Sequence, residues 1–107
     1  MNETRDVSHD ETIIAMLKAD PDFANEYLSA SLDEVDLKGG RSALLSAMRH
    51  IAQAQGVSAV AERAGIPRES LYRALGANGN PTITTFLALI HAVGLRLDVS
   101  QRTITAA

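Results

Sequence analysis

The chain has 107 residues, 46% of them hydrophobic and 21% charged, which predicts one globular domain. It contains no cysteine, which excludes disulfides, thiol catalysis and cysteine-ligated zinc. No apolar run reaches the roughly 18 residues that a membrane span needs. Its polar, acidic start, MNETRDVSHDE, lacks the pattern of a secretion signal, so we expect a cytoplasmic protein.

The net charge of −3 is divided unevenly along the chain. Residues 1–38 contain ten acidic and three basic residues, a balance of −7, whereas residues 39–107 contain seven arginines and three acidic residues, a balance of +4. Such asymmetry favours polyanion binding by the second part, or a separate partner for the acidic part. A solvated helix face explains the acidic residues equally well.

The acidic part, residues 1–38, predicts two amphipathic helices. Apolar residues recur at helical spacing over about residues 9–19. Pro21, tolerated at the first position of a helix, starts a second one that extends to about Glu34. The KGG motif that follows breaks the pattern, so we predict an N-terminal helical extension that ends there.

The pattern restarts after the KGG motif. Apolar spacing predicts a third helix of about fourteen residues from Arg41. Gly56 follows at the position where a left-handed C-terminal cap is common. Ser58 is predicted to cap a short fourth helix, which Gly65 ends. A fifth helix then begins after Pro67.

A sixth helix follows the loop GANGNP at residues 76–81. Thr82 or Thr84 is predicted to cap it, and Gly94 to close it. We expect Leu89 to lie off its core stripe, where it would suit a dimer surface. The predicted stripe consists of Ile83, Phe86, Leu87, Ile90 and Val93.

The chain changes period after the sixth helix. Leu95, Leu97 and Val99 alternate with polar residues, which is strand spacing. A lone strand leaves its backbone groups unpaired, so we expect this one to pair with a second copy or with a sheet edge of another protein.

The stretch AERAGIPRESLYRAL indicates two short helices joined by a tight turn. A small Ala61, a permissive Gly65 and an apolar Ile66 suit a close helix crossing, and this arrangement places a helix in the major groove of DNA. A tight helical corner without any ligand would need the same spacing. Leu71 and Leu75 are predicted to point inward.

The outward residues of the fifth helix are the candidate base contacts. Arg68 and Arg73 could contact guanine edges or phosphates, and Glu69 could accept from cytosine or favour the helix start. Tyr72 is either a base contact or a half-buried packing residue. The other predicted DNA-binding residues, several of them phosphate contacts, are Ser58, Ser70, Asn78, Asn80, Thr82 and Thr84.

Residues from about Arg41 to Ser100 resemble the phage-repressor-like (XRE/Cro) helix-turn-helix domain, and more narrowly the antidote proteins of addiction modules with RelE-like toxins. The similarity lies in AERAGIPRESLYRAL and in GNPTITTFLALIHAVGLRLDV. It covers roughly 60 residues, and the RESLY core with the Gly-Asn-Pro loop is fairly specific. One departure is Pro67, where the family commonly has a serine that caps the helix and can contact phosphate.

The helical spacing, the strand spacing and the resemblance together predict an all-α, five- or six-helix lambda-repressor-like helix-turn-helix domain with a short C-terminal β-strand. The resemblance also implies a homodimer that binds a palindromic operator in double-stranded DNA, represses its own transcription and, in antidote members, occludes a toxin. The predicted division is an acidic extension at residues 1–38, a DNA-binding domain with the strand at residues 39–100, and a tail at residues 101–107.

The sequence also leaves alternatives to an antitoxin. A stand-alone prophage-type regulator needs no toxin, and a protein-interaction module would use the helix pair only as scaffold. An enzyme has little support, because GANGNP lacks the Gly-Lys-Ser/Thr ending of a phosphate-binding loop. We expect no metal or other cofactor, since His9, His50 and His91 lack ligand spacing.

Overall fold

The computed structural model describes residues 7–101, which form six α-helices, and the all-α prediction is confirmed there. The predicted tail lies outside the described residues except for Gln101. The helices are α1 (Val7–Ala19), α2 (Phe23–Asp33), α3 (Gly40–Gln55), α4 (Val57–Ala64), α5 (Arg68–Ala74) and α6 (Ile83–Ala92).

The long helix α3 is the centre of the fold. The helices α1, α2 and α4 all pack against it, and α6 packs against α4. Met48 and Ile51 of α3 are fully buried. Leu17 of α1 and Leu28 of α2 belong to the same hydrophobic core as the residues of α4 to α6. The acidic helices are therefore part of one packed body with the rest of the chain.

Two arginines fasten the C-terminal ends of other helices. Arg49 of α3 donates to the carbonyl oxygen of Leu75, at the end of α5. Arg63 of α4 donates from Nε to the carbonyl oxygen of Ala92, at the end of α6, over 2.7 Å. The last carbonyls of a helix lack partners within it, so a cationic donor there is favourable. Part of the positive balance after residue 38 thus serves the fold.

The predicted stripe of α6 is wrong at two positions. Leu89 is fully buried, whereas Ile83, the first residue of the helix, is 77% exposed. Two apolar stripes overlap in this sequence, and the one that packs contains Phe86, Leu89, Ile90 and Val93. Packing of α6 against α4 selects this stripe, so Leu89 is unavailable for a dimer surface.

The structure shows which of the predicted N-cap residues act as caps at the starts of α4 and α6. Thr82, rather than Thr84, caps α6, because its Oγ1 accepts from the backbone N–H of Thr85 over 3.1 Å. The cap assigned to Ser58 is wrong: α4 begins at Val57, which puts Ser58 inside the first turn. Gly56, at a positive φ of 100°, makes the sharp entry into α4 instead.

The C-terminal strand is not seen in the described part of the chain. Residues 95–101 carry no regular secondary structure, although Leu95 packs against the core. The described residues contain no other strand, so the backbone groups of this segment have no ladder to join. Val99 is fully exposed.

Replacing Leu89 with alanine should lower the free energy of unfolding by about 2–5 kcal/mol, since it removes a fully buried side chain and leaves a cavity. Val99→Ala, at a fully exposed position, should change it by at most about 0.5 kcal/mol. Urea unfolding followed by circular dichroism measures both. Equal stability of Leu89→Ala and the parent would contradict the observed orientation of α6.

Candidate nucleic-acid interface

A three-residue turn, residues 65–67, joins α4 to α5. Gly65 has a left-handed backbone with φ 74°, and the N–H of Ile66 donates to the carbonyl oxygen of Ala61 over 3.1 Å. This hydrogen bond and the left-handed glycine form a Schellman cap. Ala61 is buried at the crossing, as its small size predicts. A side chain at position 65 would strain the turn.

The short helix α5 is anchored on its inner side. Leu71 and Leu75 are both fully buried, as predicted. Pro67 is the N-cap residue, with no side-chain cap, and its carbonyl oxygen accepts from Ser70 and Leu71. The start of α5 thus lacks the side-chain hydroxyl that a serine at this position would supply.

The outer side of α5 presents four of the predicted contact residues to solvent: Arg68, Glu69, Tyr72 and Arg73. Tyr72 is 39% exposed, so it is not a core residue. No carboxylate among the described residues forms an ion pair with Arg68 or Arg73. Their charges are therefore available to an anionic partner.

The Arg68 guanidinium is held in one orientation by its neighbours. Its Nη1 donates to Ser58 Oγ over 2.9 Å, and its Nη2 lies 3.4 Å from the hydroxyl of Tyr72. The guanidinium carbon also lies 5.6 Å from the centre of the Tyr72 ring, a cation–π distance. Ser58 and Tyr72 thus position Arg68, and the guanidinium keeps further N–H groups free for a ligand.

A shallow depression beside α5 brings Arg73 together with three more predicted residues: Ser70, Asn78 and Asn80. Arg73 Nη2 donates to Ser70 Oγ over 3.3 Å at its edge. Gly79 lies so close to the carbonyl of Ala74 that a Cβ atom there would overlap it. The loop therefore depends on glycine for its close approach to the end of α5.

The two predicted threonines do not line this depression, but Thr85 does. Thr82 uses its hydroxyl to cap α6 and to donate to Thr85 Oγ1 over 3.1 Å. Thr84 is exposed in the first turn of α6.

Arg41 is a candidate site residue that the sequence analysis missed. From the start of α3 its Nη2 donates to Asn80 Oδ1 over 2.8 Å. The two residues are 39 positions apart, so no local pattern could pair them. The sequence gives one local indication of Arg41: it directly follows the KGG motif, where the charge balance of the chain changes from acidic to basic.

A second polar cluster joins the first three helices at the only buried polar residue of the described chain, His50. Its Nε2 lies 2.9 Å from Asp10 Oδ1, and its Nδ1 lies 2.7 Å from the hydroxyl of Tyr27. A carboxylate only accepts, so Nε2 donates to Asp10. Because burial lowers the pKa of His50 below 6.5, the imidazole is neutral at pH 7 and its Nδ1 accepts from the Tyr27 hydroxyl. Tyr27 also stacks on Phe23 and on His50.

This cluster has the order of an acid–base relay, but its chemistry is structural. Burial raises the pKa of the Tyr27 phenol, and the Asp10 charge adds to the effect, so the phenol is a poor nucleophile at neutral pH. Burial also lowers the pKa of His50, against the opposing effect of the Asp10 carboxylate. The satisfied hydrogen bonds fasten α1 and α2 to α3.

Residues 7–101 show neither a clustered metal site nor a candidate membrane span. These residues contain no group of three or more histidine, cysteine, aspartate or glutamate side chains arranged to hold a metal ion. None of the six helices found there is both long enough and apolar enough to cross a bilayer.

Comparison with known proteins adds a family to this geometry. A family model described as "probable addiction module antidote protein" matches residues 8–101. The chain is 37% identical over 78 residues to an uncharacterized protein of Haemophilus influenzae (strain Rd), and the overlap covers 73% of this chain and 80% of that relative. No solved structure matches the chain.

Acidification should destabilise the protein through His50. Its pKa is lowered in the folded state, so between that pKa and its ordinary value of about 6.5 the unfolded chain binds more protons. The free energy of unfolding should therefore fall as the pH is lowered through and below that value. Urea unfolding at a series of pH values measures the slope.

Two variants isolate the contribution of His50. His50→Asn should reduce the pH dependence because it removes the titrating group. His91→Asn, at an exposed histidine, should keep the slope of the parent. An unchanged slope in His50→Asn would exclude His50 as its source.

Proposed function

Because the chain belongs to the family of probable addiction module antidote proteins, we propose that it is the antitoxin of a type II toxin–antitoxin module and a sequence-specific DNA-binding repressor of its own operon. In this proposal the protein is a homodimer on a palindromic operator and neutralises a RelE-like toxin. In the same proposal, residues 39–100 are the DNA-binding unit and residues 1–38 are an acidic N-terminal helical extension.

The observation that carries the DNA-binding proposal is the outer face of α5. Arg68 and Arg73 are exposed and unneutralised there, while Leu71 and Leu75 are buried beneath them. A short second helix with a polar outer side, set by a glycine-containing turn, is the form in which helix-turn-helix proteins offer a helix to the major groove. The proposed base contacts are Arg68, positioned by Ser58 and Tyr72, together with Arg73.

The depression beside α5 supports backbone contacts next to these base contacts. Asn78, Asn80 and Ser70 supply neutral hydrogen-bonding groups, which commonly bind phosphate and sugar oxygens. Arg41 donates a hydrogen bond to Asn80 and so holds that amide in place at the edge of the depression. Phosphate contacts of this kind fix the register of the protein on DNA, and base contacts supply the specificity.

The surface of the first two helices supports the antitoxin part. Asp10 is half-buried against His50, whereas the other acidic residues described in this region are exposed and form no ion pair within residues 7–101. A small basic toxin is a complementary partner for such a surface. The exposed acidic residues of α1, α2 and the following loop are Glu11, Asp20, Asp22, Glu26, Asp33, Glu34 and Asp36.

Arg73→Ala should weaken binding to the DNA upstream of the protein's own reading frame by about 1–3 kcal/mol and relax the preference at one base position. Arg96→Ala is the matched control, since it removes an equal charge from an exposed residue beyond α6. Fluorescence anisotropy with labelled fragments measures both, and affinity should fall steeply as salt rises. Equal affinity of Arg73→Ala and the parent would remove Arg73 from the interface.

The same titration separates DNA binding from the alternative of a pure protein-interaction module. A module without a DNA site would show no preference for the upstream fragment over random DNA at any salt concentration. A stand-alone regulator would show the preference but would have no toxin partner.

The toxin part predicts a small basic chain encoded beside this gene, and a complex that forms when the two are co-expressed. A variant with Asp22, Glu26, Asp33 and Glu34 changed to their amides should weaken the complex and leave DNA binding intact. Arg73→Ala should do the reverse. Affinity co-purification measures the complex, and a neighbouring product that fails to bind the parent chain would contradict the antitoxin proposal.

A further inference from the structure

An apolar groove lies between the start of α3, the start of α6 and the loop that precedes α3. Its volume is about 290 Å³, and most of its lining is aliphatic or aromatic. We call it the α3–α6 groove. Its lining residues are Val35, Asp36, Arg41, Leu44, Leu45, Pro81, Ile83 and Phe86.

The groove has an apolar projection on its own rim. Ile83 lines it and is 77% exposed, more than any other large hydrophobic residue of the six helices. A β-branched side chain this exposed at the edge of an apolar groove presents a ridge and a cavity side by side. A twofold contact between identical surfaces must be self-complementary, and such a pair meets this condition because the ridge of each copy can enter the cavity of the other.

The charges on the rim are self-complementary as well. Asp36 and Arg41 are the two charged residues of the groove, and neither forms an ion pair with any described residue. Arg41 donates one hydrogen bond to Asn80 and retains further N–H groups. A strongly basic partner would meet Arg41 with like charge, whereas a second copy offers one residue of each sign.

We propose that the α3–α6 groove is the contact between two copies of this chain, with Ile83 of each copy in the groove of the other and Asp36 of each copy paired with Arg41 of the other. This inference rests on the dimeric repressor proposed above and assigns its dimer surface. The surface replaces Leu89, which is buried.

The groove is continuous with the proposed DNA surface. Pro81 lines both the groove and the depression beside α5, and the Arg41–Asn80 hydrogen bond spans the same boundary. A twofold axis at the groove therefore puts the loops at residues 76–81 of both copies next to the axis, with the two α5 helices outside them. Two half-sites of a palindrome need two such helices about 34 Å apart.

The test exchanges the rim charges in two separate variants, Asp36→Lys and Arg41→Glu. Each variant alone puts like charges together at both symmetry-related positions, so its dimer dissociation constant should rise at least about tenfold. An equimolar mixture should form dimers again, because the introduced lysine of one copy then faces the introduced glutamate of the other, and the remaining Arg41 faces the remaining Asp36. Sedimentation equilibrium without DNA measures all three samples and the parent.

A second pair of variants tests the apolar part. Ile83→Glu should shift the chain toward monomer, whereas Val99→Glu, the same kind of change at a fully exposed residue outside the groove, should not. Circular dichroism confirms that both remain helical. Dissociation by Val99→Glu alone would assign the dimer contact to the C-terminal segment and overturn the proposal.

A parent chain that is monomeric at every concentration would overturn the proposal, and so would single charge variants that dimerise as tightly as the parent. It would also be overturned if Ile83→Glu still formed the dimer and lost only its binding to a co-expressed toxin. No DNA is present in these samples. Sedimentation therefore reports on the dimer contact alone, whereas operator binding is measured separately by the anisotropy titration.

Discussion

The proposed interface depends on the burial of Leu71 and Leu75 beneath α5. This helix has only seven residues, too few for a stable helix in water by itself, so tertiary packing must hold it. The two leucines supply that packing, Gly65 sets the angle at its start, and Arg49 satisfies the carbonyl of Leu75 at its end. Everything that α5 presents to solvent has a defined position because of these contacts.

The arginines after residue 38 include two groups that differ in what they contact. Arg49 and Arg63 bind helix-terminal carbonyl oxygens and stabilise the fold. Within residues 7–101, the guanidinium groups of Arg68 and Arg73 hydrogen-bond to neutral hydroxyl groups and form no ion pair, so no described carboxylate compensates their charge. A favourable electrostatic site for a polyanion therefore rests on a few arginines rather than on the total charge of the region.

The acidic helices belong mechanically to the same body. His50 is buried where α1, α2 and α3 meet, and its two hydrogen bonds link all three. A buried polar network of this kind is stable only when every member is satisfied, so it specifies how the helices dock. The negative surface of α1 and α2 is consequently held at a defined place relative to α3 and the helices that pack with it.

Local sequence features predicted the elements well. The six helices, the inward Leu71 and Leu75 and the exposed face of α5 all follow from spacing within a few residues, because side-chain direction along a helix is periodic. Gly65 ends α4 as predicted, whereas Gly56, predicted as a left-handed cap, has a positive φ of 100° with an extended ψ of 110°. The cap at Ser58 failed for a local reason, since a positive-φ glycine lets a helix begin without a side-chain cap.

What the sequence by itself determined is therefore the set of helices and the chemistry of the α5 face. The tertiary structure decided which of two overlapping stripes of α6 is buried, and it made the pairings of Arg41 with Asn80 and of His50 with Asp10. These pairs are 39 and 40 residues apart, so they depend on the angles at which helices pack. The C-terminal segment shows the same limit: its alternation favours a strand, but a strand exists only where another backbone pairs with it.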